Sequence, residues 1–116
     1  MTNIQQAEEV NGKTMQWTWT DGPTRGETHE HVFHKDGTVE WHAVEETKKN
    51  GATKEKPERP KYAAMKVADG IYAVSYLAAS GYTLTTVLNF HDHKLFGFAS
   101  DNKTWSPVQG KFEVVN

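Results

Sequence analysis

Four of the chain's six histidines fall in one short stretch, Thr28-His29-Glu30-His31-Val32-Phe33-His34-Lys35-Asp36-Gly37-Thr38-Val39-Glu40-Trp41-His42. Imidazole binds metals, forms hydrogen bonds and exchanges a proton near neutral pH. Residues two apart on a strand point to the same side, so His29 and His31 act together if this stretch is extended. Asp36-Gly37 reads as a tight hairpin turn, because both loop positions need positive φ. With that pair as a two-residue loop, Phe33 faces Glu40, Val32 faces Trp41 and His31 faces His42. One face then carries His29, His31, Phe33, Glu40 and His42; the other carries Glu30, Val32, His34, Val39 and Trp41. His31 and His42 would stand ~5 Å apart at Cβ. His29, His31 and His42 would offer three nitrogen ligands to Zn²⁺ or Fe²⁺, with Glu40 as a fourth group. Without metal, the same face is a polar patch in a cavity or a solvated surface.

Other residues bear on the same question. Met15, Trp17 and Trp19 share a face and read as core packing or as a flat wall for a planar ligand. Tyr72, Tyr76 and Tyr82 could add hydroxyls to an interior or sit with their hydroxyls at a rim. Asp69 before Gly70 is a turn former. In an enzyme it would orient a group or accept a proton beside His42 or His31 as general acid or base. His91-Asp92-His93 reads as a solvated hairpin tip. No glycine-rich phosphate loop and no nucleophile elbow is present.

The elements that must position these groups are strands. Met1 to Asn11 reads as a short helix or arm, with Gly12 ending it. Alternating residues then mark strands around Met15 to Trp19 and on both sides of Asp36-Gly37. Further strands are expected at Lys61–Ala68, Ile71–Ala78, Tyr82–Phe90, Lys94–Ser100 and Val108–Val115. A loop is expected at Asp101–Pro107. Residues 45–60, dense in both signs of charge and containing Pro57 and Pro60, read as a mobile rim loop. That makes about eight short strands joined mostly by tight turns, with no helical pattern long enough for a βαβ unit. Such a meander closes into an up-and-down barrel, which removes exposed sheet edges. Eight strands leave an interior just wide enough for packed side chains or one small ligand.

With 116 residues the chain reads as one domain, 1–116. A net charge of −2 gives no electrostatic reason to expect nucleic acid or an anionic membrane. The absence of cysteine removes disulfides and thiolate chemistry. No apolar run approaches a membrane span, and the first residues do not resemble a signal peptide. A cytoplasmic protein is expected, with no bound cofactor called for and a homodimer through an outer sheet face as one structural possibility.

Three segments resemble the MoaF-like family of small lipocalin-like, or calycin, barrels. They are Trp17-Thr18-Trp19-Thr20-Asp21-Gly22-Pro23, Thr28-His29-Glu30-His31-Val32-Phe33 and Tyr72-Ala73-Val74-Ser75-Tyr76-Leu77-Ala78-Ala79-Ser80-Gly81-Tyr82. The family is named after a protein linked to molybdenum cofactor biosynthesis. The resemblance spans Gly12 to Val115 and implies the barrel fold. A more distant likeness is to phenolic acid decarboxylases, also calycin barrels. Trp17 and Trp19 match two cavity tyrosines there, His42 matches a carboxylate-binding arginine, and Asp69 matches an acidic residue before Gly-Ile-Tyr. The exchanges replace phenols by indoles and a permanent cation by imidazole, so the geometry carries over more readily than the reaction. That likeness implies that Trp17, Trp19 and His42 face the cavity.

The leading expectation is a barrel that binds a small planar or partly apolar molecule. Its site is expected to use Trp17, Trp19, His31, Phe33, Glu40, His42, Tyr76 and Tyr82. The alternatives are a lyase or isomerase acting on a small aromatic acid through His42 and Asp69, and a metal site on His29, His31 and His42.

Overall fold

The computed structural model describes residues 7–44, 59–78 and 81–116. Most of the expected rim loop at 45–60, and residues 1–6 of the expected arm, lie outside the described residues. Eight antiparallel strands make the fold: β1 Thr14–Asp21, β2 Thr28–Phe33, β3 Val39–Ala43, β4 Tyr62–Ala68, β5 Ile71–Leu77, β6 Thr83–Asn89, β7 Lys94–Ser100 and β8 Trp105–Val114. Their order in the sheet is β3-β2-β1-β8-β7-β6-β5-β4, so the meander curls until β1 pairs with β8. Among the described residues β3 and β4 meet through a single bridge, Thr38 to Lys61, flanked by backbone bonds from Val39 to Pro60 (2.9 Å) and from Tyr62 to Gly37 (3.0 Å). The expected barrel is therefore present, with its seam between β3 and β4. No helix among the described residues is long and apolar enough to cross a membrane.

The alternation in sequence becomes alternation in burial. Met15, Trp17 and Trp19 of β1, His29, His31 and Phe33 of β2, and Tyr72, Val74 and Tyr76 of β5 all point inward. Residues 7–12, the end of the expected helix or arm, form turns, with Val10 and Asn11 bonded back to the Ala7 carbonyl at 3.0 and 2.8 Å. They plug one end of the barrel. Val10 is fully buried, and Asn11 Nδ2 donates to the Tyr62 hydroxyl at 2.7 Å. Strand β8 starts earlier than expected and includes Pro107. Pro107 lies where β8 pairs with β7 but has passed the end of the β1 ladder, so its missing N–H costs that ladder nothing.

The histidine hairpin differs from the expectation by one residue. Phe33 pairs with Val39, His31 with Trp41 and Glu30 with His42. The loop has three residues, Lys35 to Gly37, closed by His34 N–H to the Thr38 carbonyl (2.8 Å) and Gly37 N–H to the His34 carbonyl (3.1 Å). Gly37 has φ of 90°, while Asp36 is not among the positive-φ residues, so the two-residue turn that needs both is not formed. Asp36 instead uses its carboxylate to accept from the Thr38 N–H (3.0 Å) and hydroxyl (2.7 Å), which stabilises the longer loop. A slip of one residue turns every side chain of β3 over. Val39, Trp41 and Ala43 therefore join the inner face, and Glu40 and His42 the outer one.

The two outer faces differ in kind. Over β2 and β3, His42 lies 3.6 Å from Glu30, His34 lies 3.3 Å from Glu40, and Arg59 lies 3.2 Å from Glu40. Over β4 to β8, three cross-strand rows carry no charge at all. They are Leu77-Thr83-Ser100-Trp105, Ala63-Ser75-Thr85-Phe98-Pro107 and Met65-Ala73-Val87-Phe96-Gln109. Phe96 and Phe98 straddle Gly97, where a Cβ would come within 1.9 Å of the Thr85 carbonyl oxygen.

Candidate functional site

A cavity of about 330 Å³ opens at the barrel end opposite the plug. Among the described residues seven of the eight strands line it, through Trp19, His29, Trp41, Tyr76, Leu84, Ala99 and Val108. Pro23, Thr24, Ala78, Tyr82 and Ser106 form the rim. The volume lies near the small end of the roughly 300–1,000 Å³ typical of small-molecule sites. Among the described residues, the lining contains no Asp, Glu, Lys or Arg.

His29 is locked on both ring nitrogens. The Trp19 indole N–H donates to Nδ1 at 2.9 Å, and Nε2 lies 2.9 Å from the Glu27 carboxylate. Because Nδ1 accepts, Nε2 must carry the proton and donate it to Glu27. Trp41 stacks on this ring at 4.6 Å between centroids, and is itself 40% exposed at the mouth.

One layer deeper the interior is packed. His31 is fully buried, stacked on Trp17 at 3.9 Å and bonded through Nε2 to the Tyr76 hydroxyl at 2.9 Å. Burial, and secondarily the positive fields of His29 and His42, lower the His31 pKa to about 3. Burial also pushes the Tyr76 phenol well above its ordinary value. At neutral pH the pair is thus an uncharged imidazole and an intact phenol. His31 Nδ1 and the Trp17 indole N–H have no hydrogen-bond partner among the described residues. Below this layer, Phe33, Leu88, Leu95 and Phe112 fill the barrel to the plug.

The expected site residues separate into three groups. Trp19, Tyr76 and Tyr82 line the cavity, and Trp17, His31 and Phe33 lie in the packed layers beneath it. Glu40 and His42 are on the outer face, a correction that follows from the three-residue loop. Asp69 is also displaced from its expected role: it sits in the β4–β5 turn at the plugged end, its exposed carboxylate 3.0 Å from Lys66. His42 and Asp69 therefore do not form an acid–base pair in the cavity. Nor do His29, His31 and His42 converge, since two point inward and one outward. Among the described residues no group of three or more His, Asp or Glu is arranged to hold a metal ion.

Trp41 is the main wall residue that the expected register hides. Its signal lies in β3 itself, where apolar Val39, Trp41 and Ala43 alternate with polar Glu40 and His42. That pattern assigns the inner face without any assumption about the turn.

A family model described as MoaF N-terminal domain matches residues 2–103. A crystal structure of a candidate beta-lactamase from Burkholderia vietnamiensis superposes with a TM-score of 0.71, at 17% identity, over 96% of this chain and 99% of that one. At that identity the likeness speaks for the fold alone. No curated protein matches the chain.

Proposed function

We propose that this chain, which belongs to the MoaF N-terminal domain family, binds a small, planar, largely apolar and uncharged molecule in the open end of its barrel. The observation that carries this reading is one barrel with two unlike ends: one packed solid by its own side chains, the other hollow and walled by Trp19, Trp41, Tyr76 and Tyr82. Flat aromatic walls favour a flat guest, through offset or edge-on ring contacts. The described lining residues include no Lys or Arg, which disfavours an anion, and Glu27 beside His29 adds a negative charge near the mouth. A guest burying ~200 Å² of apolar surface gains ~5 kcal/mol before the cost of immobilisation, so affinities from about millimolar to micromolar are expected.

Tryptophan fluorescence titrated with paired probes tests this. Neutral planar aromatics and neutral pterin-like compounds should quench saturably, and the matching carboxylates should bind more weakly. Replacing Ala99 by Phe, which fills the cavity from β7, should abolish the response while leaving the fold intact. Flat titrations across the whole panel would contradict the proposal. The reading of a lyase acting on an aromatic acid through His42 and Asp69 is not carried forward, because neither residue reaches the cavity.

A further inference from the structure

We propose that the three uncharged cross-strand rows on the outer face of β4 to β8 are an interface with a second copy of this chain, packed face to face about a two-fold axis. Six side chains define it. Met65, Leu77, Val87, Phe96, Phe98 and Trp105 are 55, 59, 37, 45, 52 and 68% exposed, respectively, on five adjacent strands. They stand in cross-strand rows that contain no acidic or basic residue, and Phe98 meets Trp105 edge-on at 5.9 Å.

The size fits a dimer. Taking 150–250 Å² for an aromatic side chain and somewhat less for the aliphatic ones, the exposed fractions amount to roughly 450–700 Å². A stable interface buries about 800 Å² per partner, and the threonines, serines and Pro107 between the six supply the remainder. That places the patch in the upper half of, or above, the about 300–600 Å² typical of the largest apolar patch on a monomeric protein.

The chemistry selects the partner. A face without charge offers nothing to steer nucleic acid or a charged peptide, and needs a surface equally wide, flat and uncharged. Among the described residues this chain carries one such surface. Its other outer face, over β2 and β3, is laced with the Glu30–His42 and Glu40–His34 pairs, and laying an apolar face on it would desolvate them. Packing is therefore like on like, the isologous arrangement of a two-fold dimer, with the two sheets ~10 Å apart.

The chain has no cysteine, so a single introduced thiol reports its own neighbourhood. Sedimentation of the full chain across a dilution series should show a species of twice the 13.1 kDa chain mass that dissociates on dilution. Phe98→Cys, in the middle one of the three rows, should oxidise to a covalent dimer, whereas His42→Cys on the other outer face should remain monomeric under the same oxidation. Phe96→Glu together with Phe98→Glu should give a monomer with unchanged circular dichroism. Met65→Glu, on a different strand, should weaken the dimer separately. A wild-type chain that stays monomeric at every concentration overturns the proposal, including one that instead sediments with anionic or neutral vesicles. So does a dimer that both glutamate variants leave intact.

Discussion

The two ends of this barrel are built from the same alternating strands, yet one is a core and the other a cavity. At the plugged end Val10, Met15, Phe33, Leu88 and Leu95 are fully buried, and Phe112 is 1% exposed. At the open end Trp41 and Tyr82 are 40 and 44% exposed, while Trp19, His29 and Tyr76 are buried at the wall. The strand pattern is common to both. What differs is the cap: residues 7–12 fold across one end and send Val10 inward, and among the described residues no segment does so at the other. Alternation decides which side chains face inward; whether they meet one another depends on what closes the end.

If that contrast is right, truncations at the two ends should separate stability from binding. The largest loss is expected for Phe112→Ala, about 3–5 kcal/mol by urea denaturation, because the packed end leaves a void that cannot collapse. A loss below about 1 kcal/mol would mean that this end is not the tight core described.

Acid should act through the layer between the two ends. Unfolded His31 titrates near 6.5 and folded His31 near 3, so between those values the unfolded chain holds the extra proton. Stability from this residue is complete above about pH 6.5 and is lost as pH falls toward 3, with a slope of at most about 1.4 kcal/mol per pH unit. His31→Gln keeps a hydrogen-bonding group for Tyr76 and should flatten the pH dependence of the urea midpoint over that window. A profile parallel to wild type would remove His31 from the acid response.

Tyr76→Phe strands the buried Nε2 of His31 and should cost about 1–3 kcal/mol. Tyr82→Ala, at the open rim, should change stability by no more than ~0.5 kcal/mol yet weaken binding of a neutral aromatic probe about 3- to 10-fold. The smallest effect belongs to His42→Ala. Its 3.6 Å pair with Glu30 is partly solvated and worth ~0.5 kcal/mol or less, and probe affinity should not move. A large loss of affinity in that variant would restore His42 to the cavity and contradict the register.

Much of this architecture was legible in the residues. The alternation of Met15, Trp17 and Trp19, and of Tyr72, Val74 and Tyr76, gave both the strands and their inner faces. The sharing of one face by His29 and His31 also followed from their spacing; that this face is the inner one did not, because the likeness reached it through His42, which points outward. Asp36-Gly37 did not reveal its loop length, because the same dipeptide serves a two-residue turn with both φ positive or a three-residue loop with only the glycine positive. The choice here depends on the Asp36 carboxylate reaching Thr38, a contact with no separate mark in the sequence. That one residue moved Glu40 and His42 out of the site and brought Trp41 in. The plug was obscure for a related reason: beyond one turn bonded to the Ala7 carbonyl, residues 7–12 are placed by contacts to distant strands, such as Ala7 to Ala64, Gly12 to Phe33 and Asn11 to Tyr62.

The most direct test uses the four indole N–H resonances of the chain, which sit at different depths. In a ¹⁵N-labelled sample titrated with a neutral planar aromatic, Trp19 and Trp41 at the cavity wall should shift saturably. Trp17 in the packed layer should move less, and Trp105 on the outer face should not follow the same curve. Resonances of Val10 and Phe112 at the plugged end should stay in place. Four unmoved indoles, or shifts centred on the plugged end, would contradict the account of a hollow, ligand-accepting end above a filled one.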